Sequence, residues 1–310
     1  MKSKFTVLFS LVVTLVVVAA AQFTMIGRVG AEGQLTEPVY RVATEPAPAQ
    51  PVTAAPAAAA AAPAAPAERA PLDFTKKDGE HPLAPVLRNL KISQEEIDHN
   101  IRDYSCTFTK KERINGELGD YQYIMLKLMH QPFSVYMSFL KLYTGREVAY
   151  VQGQNDGKMV VLEAGFTRLV GKLNLDPAGA RAMNGQRHPI TNVGIRNLTD
   201  KLSKMWDAET KYAECEVTVK PGTKVEGRST TMVQVVHPIA RQSFKFHAAR
   251  VFFDDELRIP VHFDAFSWPA KEGEPPVLEE SYTYAKNLKV NNNFTGRDFD
   301  SNNNPDIFKK

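Results

Sequence analysis

The chain has 310 residues, with 38 Lys and Arg against 35 Asp and Glu, a formal net charge of +3; 43% of residues are hydrophobic and 24% are charged. These are ordinary proportions for a globular protein. The near-balance of charge argues against a nucleic-acid partner, which needs a marked basic excess, and against an acidic disordered tail protein. Only one stretch, at the extreme N-terminus, is apolar enough to enter a bilayer, which argues against a polytopic membrane protein.

Taken in chain order, Met1-Lys2-Ser3-Lys4 precede an uncharged run from Phe5 to Ala21 that ends in Ala19-Ala20-Ala21. Two lysines, an apolar run and small residues are the layout of a secretory signal peptide over residues 1–21. With Gln22, Thr24, Met25 and Ile26 included, the same run is long enough for an uncleaved single-span membrane anchor. Either form exports the rest of the chain, to the periplasm or outside the cell. Residues 22–73 are predicted to be a Pro/Ala-rich disordered linker. Prolines at 46, 48, 51, 56, 63, 66 and 71 block a continuous helix there, and large apolar side chains are nearly absent. The linker is either a spacer or a passive leader. Residues 74–310 are expected to form one domain, with a polar, Asn-rich tail from about Asn291.

Within the domain, Leu83 to Ile101 carries two apolar stripes at helical spacing. Ser93-Gln94-Glu95-Glu96 has the form of a capping box, predicting two short helices that meet near Ile92. The pattern then switches to period two. Asn115-Gly116 marks a hairpin. After Pro132, Phe133, Val135, Met137 and Phe139 share one face of a strand, and Ser134, Tyr136 and Ser138 form its wetter side. A second hairpin turns at Asn155-Asp156-Gly157, and one more strand is predicted in TRLVGKLNL. A loop covers 176–193, and a helix follows from about Gly194 to Ala208. Strands resume through YAECEVTVKP, STTMVQVVHP, FKFHAARVFF, RIPVHFDAFSW and LEESYTYAKNLKV. The tally is nine or ten strands in antiparallel order with two helical blocks. It predicts an α+β fold: a large curled antiparallel sheet, an incomplete β-barrel, with helices packed on the concave face.

Five segments resemble a family of secreted bacterial proteins catalogued as a domain of unknown function (number 1571): YSCTFTKKE at 104–112, KLMHQPFSVYMSF at 127–139, GREVAYVQGQNDGKMV at 145–160, RHPITNVGIRNL at 187–198 and NNFTGRDFD at 292–300. More distantly, the order of parts resembles the periplasmic lipoprotein-carrier superfamily. Phe108, Pro132-Phe133 and Asp156-Gly157 fall where a strand, a strand entry and a turn of those proteins fall. The resemblance implies an incomplete barrel around helices with an apolar concavity. It implies carriage of lipid or lipoprotein acyl chains, or envelope-stress sensing. The insertion between Gly165 and Gly194 and the long tail depart from that pattern, and no functional residue is carried over.

Motifs for chemistry are weak throughout. The seven histidines form no metal pair, no serine sits in a nucleophile elbow, and neither cysteine has the setting of a nucleophile. Cys106 and Cys215 each lie on the apolar side of a strand, as a disulfide or as two buried thiols. Asp298, Asp300 and Asn302 have the spacing of a calcium loop but lack its glycine and its terminal glutamate, so turn capping accounts for them better. Lys110, Lys111 and Arg113 are a solvated strand end or a guide for an anionic headgroup. No cofactor and no metal are expected, and the chain is expected not to be an enzyme. The apolar faces remain: Phe133, Val135, Met137, Phe139, Val251, Phe253, Ile259, Val261 and Phe263 converge on the concave side if the sheet curls. Whatever the helices leave uncovered there is a cavity for a hydrophobic small molecule or lipid. The alternative is a filled barrel, an envelope structural or sensory protein that binds a protein partner.

Overall fold

The computed structural model describes residues 70–308 apart from Ala213 and Glu272; the expected signal segment or anchor, and the linker up to residue 69, lie outside the described residues. The elements in order are α1 (Ala84–Asn100), β1 (Asp103–Ile114), β2 (Glu117–Leu118), β3 (Gln122–Met129), β4 (Ser134–Lys141), β5 (Glu147–Val151), β6 (Met159–Leu162), β7 (Lys172–Leu175), α2 (Ala180–Met183), α3 (Ile195–Glu209), β8 (Glu216–Val225), β9 (Arg228–Val236), β10 (Ala248–Asp254), β11 (Pro260–Ser267), β12 (Val277–Thr283) and β13 (Lys289–Val290). The thirteen strands form one antiparallel sheet in the order β7-β6-β5-β4-β3-β1-β12-β11-β10-β9-β8, with β2 and β13 as two-residue ladders against β1. The edges β7 and β8 do not meet, so the sheet is curled and open, an α+β architecture. Among the described residues no helix is long and apolar enough to cross a membrane.

Strand alternation sets the two faces of the sheet. On β1, Tyr104, Cys106 and Phe108 point inward; Ile124, Leu126 and Leu128 of β3 and Val135, Met137 and Phe139 of β4 join them, as do Val251, Phe253, Val261 and Phe263 of β10 and β11. The helices cover this inner face. α1 presents Val86, Leu90 and Ile97, and α3 presents Ile195, Leu198, Leu202 and Trp206 to the same core. Burying each such side chain stabilises the fold by about 1.5–3 kcal/mol.

α1 is one helix, and the expected break near Ile92 does not occur. Ser93 lies buried on the inward face and caps nothing; its hydroxyl donates to the carbonyls of Asn89 (3.0 Å) and Arg258 (2.7 Å). At the domain start, Leu72 packs against the core, Phe74 meets Phe253 with ring centroids 5.2 Å apart, and Asn89 donates to the Asp73 carbonyl at 2.6 Å. Contact with the core thus extends to the last two positions of the expected linker.

Two inner-face tyrosines fix the start of α3. The Tyr104 hydroxyl accepts from the Ile195 amide at 2.9 Å, and the Tyr284 hydroxyl from the Gly194 amide at 3.1 Å. Both satisfy amide groups that the first turn of a helix leaves without partners. Gly194 has φ of 117°, and a Cβ there would sit 2.6 Å from a Leu128 methyl, so only glycine is accommodated.

The outer face corrects another expectation. Ser134 and Tyr136, assigned to the wetter side of β4, are buried. The C-terminal segment folds across that face, and Phe299, Ile307 and Phe308 form a second small core with Met129, Tyr136, Ala149, Val151 and Leu162. Its acidic and amide residues cap turns. Asp298 and Thr295 make a capping box, and Asp300 accepts from the amides of Asn302 (2.8 Å) and Asn303 (3.1 Å).

Candidate functional site

The helices do not cover the inner face evenly. Beneath α2 and the 184–193 connection a cavity of about 230 Å³ remains, floored by Phe108, Ile124, Met137, Phe139, Val148 and Met159. A second cavity of about 280 Å³ lies beside it, between α3 and β12, walled by Leu198, Tyr282 and Tyr284. The two share Phe108, Lys110, His188 and Val193, so the 188–193 segment divides one hollow. Drug-sized ligands occupy pockets of roughly 300–1,000 Å³. Neither compartment reaches that by itself.

The dividing segment is held by a buried polar cluster. The alternation that turns Tyr104, Cys106 and Phe108 inward also turns Lys110 and Glu112 inward, and both are buried. Lys110 pairs with Glu112 at 3.0 Å and donates to the Gln186 side chain at 2.6 Å. Glu280 of β12, with no solvent exposure, meets Lys201 of α3 at 2.6 Å, His188 at 2.7 Å and Arg187 at 3.1 Å. The Tyr282 hydroxyl donates to Glu112 at 2.7 Å and to Glu280 at 3.1 Å. Burial pushes the Glu280 carboxyl up, but the His188 hydrogen bond and the Lys201 charge outweigh it and hold it at about 2. Glu112 is lowered by the same balance, burial against Lys110 and Tyr282; burial and the two carboxylates push the Tyr282 hydroxyl far up. The segment is therefore tied down by charge-assisted bonds that span α3, β1 and β12.

Of the residues expected to line a cavity, Met137 and Phe139 do so. Phe133 lines a separate recess of about 240 Å³ near His130 and Arg196. Val135, Val251, Phe253, Ile259, Val261 and Phe263 have no solvent exposure and lie in the packed core. Cys106 is buried and Cys215 half-buried, both as free thiols, and burial raises the Cys215 thiol to about 11. Lys111 and Arg113 lie at the strand end, Lys111 over the Tyr121 ring and Arg113 on the Leu278 carbonyl.

The polar cluster is what the residue-by-residue reading missed. Its signal was available: continuing the alternation two steps past Phe108 puts a lysine and a glutamate on an apolar face. Glu280 likewise shares parity with Tyr282 and Tyr284. Gln186, Arg187 and His188 carried no such signal, because a loop has no period from which to read direction.

A second titratable pair lies at the far end of α3. Glu209 and His237 are both buried, with Oε2 and Nε2 3.4 Å apart, and His237 stacks on Phe244 at 4.0 Å. Burial raises the Glu209 carboxyl to about 7 and lowers the His237 imidazole.

No curated protein matches the chain. Solved structures similar to it include a putative outer membrane lipoprotein-sorting protein domain from Vibrio parahaemolyticus, at 10% identity, covering 72% of this chain and 99% of that one with a TM-score of 0.34. Lipoprotein LppX of Mycobacterium tuberculosis is 14% identical over 64% of this chain and 93% of its own, with a TM-score of 0.37. A LolA superfamily protein from Nitrosomonas europaea is 7% identical over 69% of this chain and 96% of its own, with a TM-score of 0.29. The model of the family described as protein of unknown function (DUF1571) matches residues 101–308, the whole sheet and the tail that backs it, and the chain belongs to that family.

Proposed function

We propose that this is an exported, non-enzymatic protein that binds a hydrophobic ligand, a lipid or lipoprotein acyl chain, in the hollow of its half-barrel. The observation that carries this reading is the apolar-floored cavity beneath the 184–193 connection, which neither α1 nor α3 fills. In this reading residues 1–21 export the chain or anchor it, residues 22–73 hold the domain at a distance from the membrane, and the domain from residue 74 does the binding. Burying a hydrocarbon chain yields about 0.8 kcal/mol per methylene. A dozen methylenes would contribute about 10 kcal/mol before ordering costs, enough to hold a chain yet permit transfer. The two methionines of the floor suit chains of varied shape, because the thioether side chain is unbranched and adaptable.

Native mass spectrometry of gently purified protein tests the reading. A co-purifying lipid mass, or saturable uptake of a fluorescent fatty acid, is the expected result. A clean apo mass together with no uptake would overturn it.

A further inference from the structure

The turns at one end of the sheet carry most of its exposed apolar side chains. β1, β4 and β6 all end there, so the connections into β3, β5 and β7 share that end. The β6–β7 connection is a short 3₁₀ turn, Gly165–Val170, in which Phe166 is 93% exposed, Leu169 86% and Val170 70%. Arg168 of this turn donates to the Gly145 carbonyl at 2.8 Å and meets Glu147 at 3.3 Å, which fastens it to the β4–β5 turn. Leu140 at the end of β4 is exposed, as is Tyr143 of that turn. Its Leu142 and Tyr143 both sit at positive φ, 56° and 63°. Asn-Gly is the usual occupant of such a pair, and bulky side chains there are strained. The contrast is within the molecule, since the β1–β2 turn uses Asn115 and Gly116 at positive φ. Large apolar groups are displayed at this end at a conformational cost.

Cations outnumber carboxylates around these two turns. Lys141, Arg146, Arg168 and Lys172 flank them; Arg146 is paired with Glu163 and Arg168 with Glu147, so the excess positive charge comes from Lys141 and from Lys172, which donates to the Ser301 carbonyl and lies over the Phe308 ring. Arg146 lies over the Tyr143 ring at 4.3 Å and Lys141 over Tyr123 at 5.7 Å. Behind the tip an open recess of about 800 Å³, lined by Leu162, Leu169, Ile307 and Phe308 among others, continues the apolar surface. Apolar side chains at the tip with aromatic rings and cations behind them match the layering of a bilayer interface. The Arg146–Glu163 pair, on the wall of the inner cavity, belongs to the same end.

We propose that this end of the sheet docks on a lipid bilayer with anionic headgroups, inserting Phe166, Leu169 and Val170 among the acyl chains. That the cavity then faces the membrane, placed to take up a chain, rests on the ligand-binding reading above; the insertion itself does not.

The test uses the full chain carrying Phe166→Trp, with wild-type protein as background for Trp206 and Trp268, and vesicles of phosphatidylcholine and phosphatidylglycerol. The expected result is a blue shift of the added tryptophan and quenching by brominated acyl chains. Adding Leu169→Ser and Val170→Ser should cut the quenched fraction about tenfold, and pure phosphatidylcholine should weaken it. A tryptophan at 166 that stays solvent-like and unquenched overturns the proposal, even if the protein sediments with vesicles through its N-terminal run. So does a blue shift that needs an added protein fraction and not vesicles. Fatty-acid uptake from solution, measured on the same variants, separates the two readings. Quenching without uptake keeps the docking and ends the ligand reading; uptake without quenching does the reverse.

Discussion

The two halves of the inner face are built from the same kind of strand and end in different states. In β9–β11 the inward residues Val233, Val251, Phe253, Val261 and Phe263 have no solvent exposure, because α1 and α3 lie directly on them. In β3–β6 the inward residues Ile124, Met137, Phe139, Val148 and Met159 floor a cavity. Two helices of 17 and 15 residues cannot cover an eleven-strand path from edge to edge. The chain covers the remainder with a four-residue helix and a loop that is pinned by charges rather than by apolar packing. One half is thus a core, and the other is a core with its last layer replaced by a polar bar.

The largest test of this difference is truncation on each side. Phe263→Ala should destabilise the protein by about 4 kcal/mol, as a fully enclosed aromatic side chain leaves a hole its neighbours cannot close. Met137→Ala should cost about 2 kcal/mol, since one side of Met137 already faces open space and has fewer contacts to lose. Urea denaturation of both variants measures the gap; equal losses would mean the two halves are packed alike.

The bar itself is tested by Glu280→Gln. Removing a buried carboxylate that holds Lys201, Arg187 and His188 should cost about 3 kcal/mol. The pH dependence has a definite sign. The folded carboxyl, at about 2, lies below its ordinary 4.5, so its stabilisation is complete above pH 4.5 and is lost as pH falls through about 2. Acid titration of wild-type stability should show that loss, and the Gln variant should lack it.

How much of this was legible in the sequence follows from period. Most strands and faces were readable because alternation is local; Tyr104, Cys106, Phe108, Met137 and Phe139 all point where their parity says, but the strand expected in TRLVGKLNL forms only over Lys172–Leu175, its first half being a 3₁₀ turn. The single long α1 was not, because Ser93 looks like a cap until Arg258, 165 residues away, supplies a carbonyl for its hydroxyl. The burial of Tyr136 was not, because a tail rich in Asn gave no sign that Phe299, Ile307 and Phe308 would cover it. Which apolar residues line space and which are plugged was not legible at all. Met137 and Phe263 have the same local pattern, and only the paths of α1 and α3 separate them.

A smaller effect is expected in the filled half. Glu209 sits opposite His237 there, and burial raises its carboxyl from an ordinary 4.5 to about 7. A raised carboxyl stabilises the fold below pH 4.5 and loses that contribution as pH climbs through about 7. His237, lowered by burial, acts in the opposite sense, losing stabilisation as pH falls below its ordinary 6.5. Glu209→Gln removes the first contribution and keeps the second. Its stability should therefore rise more steeply between pH 5 and 7 than that of wild type. Parallel profiles would show that Glu209 titrates as it does in the unfolded chain.

The smallest change in stability and the sharpest contrast come from filling in place of truncation. Met137→Trp adds volume on the open half, where the side chain can extend into the cavity beside Phe139 and Met159. With space to receive it, the substitution should alter stability by no more than about 1 kcal/mol. The same enlargement at Val251, enclosed on all sides, forces neighbours off their rotamers and should cost about 3 kcal/mol. If the cavity is where a hydrophobic ligand sits, Met137→Trp should also abolish uptake of a fluorescent fatty acid while the protein stays folded by circular dichroism. An unfolded Met137→Trp variant would put the cavity floor among the packed residues. A folded variant that still takes up the fatty acid would place the ligand elsewhere, the recess behind Leu169 being the next apolar space of sufficient size.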